Sequence, residues 1–335
     1  MIRVLLRNFV GEGRKIVKRI THWFLGITII SLFGLIIACS FAAQKDTMGV
    51  IVISHGAPIP EWNQNVMNLI ASVKSPYPIE PAFLDYDKDR TLEKAVRRLE
   101  AKGVNNILIV HLSPSSYSNH HEEIRYLVGL RKDLGLYTEM TETPIKSTSR
   151  FAVSPGMDEH PLIVAALTEY VRELSREPTR ESLILVGHGP VEEVEDIMWV
   201  RQLKRISKQI TKTLNFQEVV CMNLRNDAAD LVREQAHTDL RETGQRLSKQ
   251  GSVIVVIASL GTFMLQQEAK NSLKGVPSVT ISAKGLMSHP NTVKWIEATI
   301  QNGMNQPAVP PINRKWSNLD YDTGKPVGTH RYGLL

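Results

Sequence analysis

The sequence predicts an α/β fold of two similar modules, each a parallel sheet with helices on both faces. Three observations carry that expectation. Strand-like and helix-like segments alternate along the chain, the order a parallel sheet requires. The strand-like segments are unbroken apolar runs, such as Val253-Ile254-Val255-Val256-Ile257, so both faces of each sheet are covered. Two strands end in a His-Gly turn, at His55 and His188, 133 residues apart and at equivalent places in the order. That repetition points to an internal duplication.

Residues 1–38 stand apart from this pattern. Arg3, Arg7, Arg14, Lys15, Lys18 and Arg19, against Glu12 alone, precede an apolar run from Trp23 to Ala38, and Cys39 comes next. A basic region, an apolar stretch and a small residue before the break are the layout of an export signal. Ile36-Ile37-Ala38-Cys39 resembles a bacterial lipobox, which implies cleavage before Cys39 and a lipid on its sulfur. The alternative is an uncleaved signal anchor, short for a span at 16 apolar residues. Both readings tie the chain to a membrane. Both also put the body outside the cytoplasm, because the positive flank stays inside.

The net charge is +6, and five of those charges lie within residues 1–38. The remainder has no dense basic run with interleaved aromatics, so a nucleic-acid partner is excluded. With 42% hydrophobic and 22% charged residues, the body is globular rather than disordered. Beyond Cys39 only Cys221 remains, so no internal disulfide forms. Its place in Val219-Val220-Cys221-Met222 makes it an inert, buried thiol.

A linker over 39–48 leads to the first strand, Gly49-Val50-Ile51-Val52-Ile53, which ends in Ser54-His55-Gly56. A helix over about 61–73, a strand over 79–84 and an amphipathic helix over 91–101 come after it. In that helix Leu92, Val96 and Leu99 recur at helical spacing, and Gly103 ends it. A strand over 106–112 leads to a helix over about 119–131, and the first module closes at 150. The second module, 151–305, repeats the order: helix 161–174, strand 183–186 ending in Gly187-His188-Gly189, helix 193–214, strand 218–224, helix 227–249, strand 253–257 and helix 292–301. Residues 306–335, with Pro307, Pro310 and Pro311, read as an extended tail.

Ligands of open α/β sheets bind at the carboxyl ends of the strands, where His55 and His188 stand. Either imidazole alone also suits a simple strand-end hydrogen bond. A second cluster, Ser118-Asn119-His120-His121-Glu122-Glu123, opens the helix after the third strand. Adjacent helical residues point about 100° apart, so His120 and His121 do not both face one site. His120 and Glu123, three apart, share a face. Imidazole with carboxylate suits Fe, Co, Ni or Zn in an open site; the plain alternative is a solvated helix start whose glutamates favour the dipole.

These landmarks together resemble the class II tetrapyrrole chelatases, specifically the CbiX-like sirohydrochlorin chelatases in their long, two-module form. The first module matches in Val52-Ile53-Ser54-His55-Gly56 and in the run from Ser118 to Leu127. The second matches in Val186-Gly187-His188-Gly189-Pro190, Glu195-Asp196 and Trp199, in the run from Asn223 to Ala228, and in the run from Lys284 to Asn291 with Trp295. The resemblance implies a cleft between the modules and ATP-independent insertion of a divalent metal, Co²⁺ first, Fe²⁺ or Ni²⁺ otherwise, into a sirohydrochlorin-like macrocycle. No nucleotide is implied. It places the paired metal histidines on His55 and His120, with His121 as the fallback, and leaves Glu123 or an imidazole to accept pyrrolic protons. His188 is left to face the macrocycle.

The chain also departs from that pattern. Val110-His111-Leu112 stands where the family has Pro-Leu-Phe, and His111, inside a strand, is expected to be packed. After Val256-Ile257-Ala258 comes Ser259-Leu260-Gly261-Thr262-Phe263-Met264, so His188 has no histidine partner in its own half. His289 is expected to cap the helix that Pro290 opens. A non-catalytic metal- or tetrapyrrole-binding lipoprotein is the alternative function. A histidine phosphatase is set aside because Ser54 stands where an arginine would grip phosphate.

Overall fold

The computed structural model describes residues 46–132, 143–261 and 263–309. The expected export segment 1–38, Cys39 and the tail beyond 309 lie outside the described residues. Within them no helix is long and apolar enough to cross a membrane.

The first sheet holds β1 (Met48–Ser54), β2 (Ile79–Phe83), β3 (Asn106–His111) and β4 (Arg150–Val153) in the order β2-β1-β3-β4. The second holds β5 (Glu181–Gly187), β6 (Glu218–Asn223), β7 (Ser252–Ile257) and β8 (Val279–Ile281) in the order β6-β5-β7-β8. Every pairing is parallel. Val52 lies opposite Pro81 and Val110, and Leu185 opposite Cys221 and Val256. The two sheets therefore repeat one topology, with the His-bearing strand second from the edge in each.

The helices are α1 (Pro60–Ala71), α2 (Leu92–Ala101), α3 (Asn119–Leu127), α4 (Pro161–Leu174), α5 (Glu193–Ile210), α6 (Asp230–Ser248), α7 (Phe263–Ser272) and α8 (Pro290–Gln301). Alternate strand residues face opposite layers. Ile51, Ile53, Ile107 and Ile109 pack under α2 and α3, and Ile184, Val186, Val253 and Val255 under α6 and α7. The other faces meet in one shared core, where Val50, Val52, Leu108 and Val110 join Leu183, Leu185, Ile254 and Val256. Helix α4 rests on β7 while α8, from the end of the described chain, returns to β3.

Several boundaries differ from the sequence reading. The expected module boundary at 150 falls on the first residue of β4. That strand and β8, four and three residues long, carry too few apolar positions to register as runs. Helix α3 ends at Leu127 because Val128 and Gly129, at φ +74°, close its last turn. Helix α6 starts at Asp230 rather than 227, which leaves Asp227 on a turn. His289 caps α8 by accepting from the Asn291 N–H, and Cys221 is partly buried, its thiol pushed up to about 11 by burial.

Candidate functional site

β1 and β3 are neighbours and parallel, so the turns leaving their carboxyl ends meet at one sheet edge. His55 leaves β1 on a turn that only glycine can complete. Gly56 has φ +64°, and a Cβ there would collide with the Asp85 carbonyl oxygen. The His55 Nδ1–H donates to the Gly56 carbonyl at 2.8 Å, which fixes the tautomer and leaves the Nε2 lone pair outward.

His120 reaches the same place from the first turn of α3. Ser118 caps that helix, its hydroxyl accepting from the His121 N–H. The preceding loop is pinned by Ser116, whose N–H and hydroxyl both donate to Asp158 at 2.8 and 2.5 Å. The His120 Nδ1–H donates to the Glu123 carboxylate at 3.0 Å, so Nε2 again carries the lone pair. The rings of His55 and His120 lie 4.4 Å apart between centroids at an interplanar angle of 45°, and both are half exposed. Burial first, and His120 second, hold the His55 pKa below its usual value. The neutral, metal-ready ring is therefore favoured near neutral pH.

His121 is a correction to the fallback expectation. It is 1% exposed, turned inward to His111, with the two Nδ1 atoms 3.2 Å apart. Burial pushes His121 down to about 3 and His111 well below its usual value. Both stay neutral and shut off from solvent, one ring donating to the other. The turn of the helix decides the matter: consecutive side chains diverge, and only one of the two can face outward. Glu123, expected as a proton acceptor, orients His120.

His188 repeats the His55 turn in the second half. Gly189 has φ +81°, and the His188 Nδ1–H donates to the Gly189 carbonyl at 2.9 Å. The charge of Asp227, beside His188, reaches His55 and favours its protonated form. His188 has Asp227 Oδ2 3.6 Å from its Nε2, a carboxylate rather than a second imidazole as its neighbour.

Three carboxylates escaped the sequence reading as site residues. Asp85, just past β2, has Oδ2 3.3 Å from His55 Nε2; the sheet order places it there, and only its position after an apolar strand hinted at it. Asp227 was visible as part of a motif without a role. Glu195, in the first turn of α5, is 2% exposed, accepts from the Asn119 N–H and has one oxygen without a hydrogen-bond partner. Burial, then the charge of Glu192, pushes its pKa up to about 8, so it is mostly protonated at neutral pH. Among the described residues no three His, Cys, Asp or Glu side chains form a ready-made metal shell. What the described residues do offer is a pair of imidazoles with one carboxylate 3.3 Å from His55, too few donors for a closed metal shell.

The CbiX family model matches residues 49–174, the stretch that carries this imidazole pair. A sirohydrochlorin cobaltochelatase of Saccharolobus islandicus (strain L.S.2.15 / Lassen #1) is 35% identical over 88 residues, which is 26% of this chain and 67% of that protein. The sirohydrochlorin cobaltochelatase of Saccharolobus solfataricus is 34% identical over 88 residues, with the same coverage. Among solved structures, SirB from Bacillus subtilis with Fe³⁺ superposes with a TM-score of 0.57 at 16% identity, over 77% of this chain and 96% of that one. The sirohydrochlorin chelatase SirB from Bacillus subtilis subspecies spizizenii in complex with cobalt gives 0.55 at 15%, over 78% and 97%. The fold is thus shared across both halves, the sequence likeness is concentrated in the half that carries His55 and His120, and this chain belongs to the CbiX family of class II chelatases.

Proposed function

We propose that the protein inserts a divalent metal, Co²⁺ in the first instance and Fe²⁺ or Ni²⁺ otherwise, into a sirohydrochlorin-like tetrapyrrole without a nucleotide. The observation that carries this reading is the pair of imidazoles 4.4 Å apart, each with its Nδ1–H donated to an oxygen so that the lone pair is on Nε2. His55 and His120 hold the incoming ion as neutral ligands, and Asp85 lies within reach of it. So sparse a donor set binds loosely enough to release the ion to the four macrocycle nitrogens. The activities of the relatives support the choice of metal and macrocycle.

The test is Co²⁺ insertion into sirohydrochlorin monitored by absorbance. The wild type turns over without ATP, and His55→Ala and His120→Ala each lose at least about 100-fold in rate. Binding of both substrates without turnover overturns the enzyme reading in favour of a carrier.

We also propose, on residues 1–39 alone, that the body lies outside the cytoplasm on a membrane tether at Cys39. Cys39→Ser should then move the protein from the membrane fraction to the soluble one or leave it unprocessed. A wild type found only in the cytosol overturns this.

A further inference from the structure

A cavity of about 500 Å³ begins two residues past His55, between the start of α1 and the loop that leaves β2. Pro58, Pro60 and Met67 give it apolar walls, while Asn63 and Arg90 bring polar groups to it. That volume is in the range of small-molecule sites and far exceeds what a metal ion needs. It has room for one pyrrole ring with its side chains, not for a whole tetrapyrrole.

Tyr86 joins this cavity to the metal pair. It is one of the lining residues, and its ring lies 6.2 Å from the His55 ring at an interplanar angle of 63°. Its backbone is left-handed at φ +60°, a conformation that an aromatic residue keeps only when its surroundings impose it. Asn63 imposes it in part. Its Oδ1 accepts from the Ala57 N–H at 3.1 Å and its Nδ2 donates to the Tyr86 carbonyl at 3.5 Å, so one amide ties the His55 turn to the Tyr86 turn. The Tyr86 side chain is nevertheless 61% exposed. A ring so open adds little to the fold, and glycine would suit the turn better. An exposed aromatic held in a strained turn beside a cavity is a face prepared for a flat, apolar ligand.

Arg90 supplies the charge. Its Nη1 donates to Asp87 Oδ2 at 3.0 Å, and its backbone N–H donates to Asp87 Oδ1 at 3.0 Å. Asp87 thus fixes the guanidinium by one of its five N–H groups, and the side chain is 43% exposed. The remaining N–H groups can bind a second carboxylate.

We infer that this cavity takes one edge of the macrocycle, with a pyrrole ring against Tyr86 and an acid side chain on Arg90. The inference rests on the tetrapyrrole substrate proposed above. A macrocycle centred over the His55–His120 pair, with the side chains at its rim, reaches further than the 6.2 Å between His55 and Tyr86. One molecule therefore presents its centre to the metal and its edge to the cavity. Tyr86 and Arg90 touch the substrate away from the nitrogens that receive the ion, and they set where its centre lies.

The test is a pair of titrations on the full-length protein, one with Co²⁺ alone and one with sirohydrochlorin alone. Tyr86→Gly is the informative variant, because glycine relaxes the left-handed turn and a loss of affinity is then not a loss of fold. It should bind sirohydrochlorin about tenfold more weakly, with Co²⁺ affinity unchanged within about twofold and a melting temperature no lower than the wild type's. Tyr86→Phe keeps the ring and should bind as the wild type does. Arg90→Gln should weaken sirohydrochlorin by about tenfold and leave Co²⁺ alone. Tyr86→Gly binding sirohydrochlorin as tightly as the wild type overturns the inference. So does a Co²⁺ affinity that falls in step, since Tyr86 would then act through His55. A wild type with no affinity for sirohydrochlorin sinks the tetrapyrrole reading itself, a result distinct from a tight wild type with an equally tight variant.

Discussion

An imidazole whose Nδ1–H is already given away has only its Nε2 lone pair to offer, and His55 and His120 are both held in that form. For His120 the holder is Glu123, whose carboxylate also strengthens Nε2 as a ligand. Glu123→Gln keeps the shape and removes the charge. Co²⁺ affinity should fall by about 10- to 100-fold, measured calorimetrically, while the melting temperature stays nearly unchanged. The sequence narrowed the choice to His120 or His121, and what separates them is a buried partner on another strand, His111, which local pattern does not reveal. Glu195 was less legible still. A carboxylate in a helix's first turn ordinarily gains about 0.3–1 kcal/mol from the dipole, but burial against the first half outweighs that gain and lifts its pKa from 4.5 to about 8. The folded state therefore holds a proton that the unfolded chain releases. Stability from this group is fully present below about pH 4.5 and is lost as pH rises through 8, by at most about 5 kcal/mol. Glu195→Gln should flatten that decline and raise the melting temperature at pH 8.5 above the wild type's. An unchanged pH profile would mean the carboxyl is not buried as described.

The strands announced themselves through unbroken apolar runs, and the His-Gly turns through their repetition. What stayed hidden were the elements whose identity depends on neighbours: β4 and β8, short strands that exist because β3 and β7 offer an edge, and the turn before α6 that frees Asp227. The turn after β1 is the most demanding joint. Gly56 combines a positive φ with an approach to the Asp85 carbonyl that excludes a Cβ. Gly56→Ala must give up the left-handed turn, at about 1–2 kcal/mol for the backbone alone, and push β2's exit loop away from His55. Urea unfolding should show at least that loss. Co²⁺ binding should fail in the same variant, because His55 and Asp85 move together. Gly103→Ala is the control: its φ is +78° but no atom lies within 4 Å of a Cβ, so it should cost stability and leave metal binding intact.

The duplication visible in the sequence suggests two bodies, yet the inner faces of both sheets share one set of apolar contacts. Val52 and Val110 from the first sheet, Leu185 and Val256 from the second, and Trp295 and Ile300 from α8 belong to a single buried cluster. Helix α8, last in the described chain, rests on β3 of the first sheet. Long-range return of this kind leaves no local trace, since α8 reads as an ordinary amphipathic helix wherever it docks. It has a consequence for unfolding. Trp295 is 2% exposed, and its loss removes the largest side chain in the shared core, at about 3–5 kcal/mol for Trp→Ala. That is a large share of the roughly 5–15 kcal/mol that stabilises a domain. If the core is one cooperative unit, Trp295→Ala lowers amide-exchange protection at Leu108 in β3 and at Val256 in β7 by the same free energy, and the variant still melts in one transition. Protection lost in one sheet alone, or a melt that splits in two, would mean that each half holds its own core and unfolds without the other.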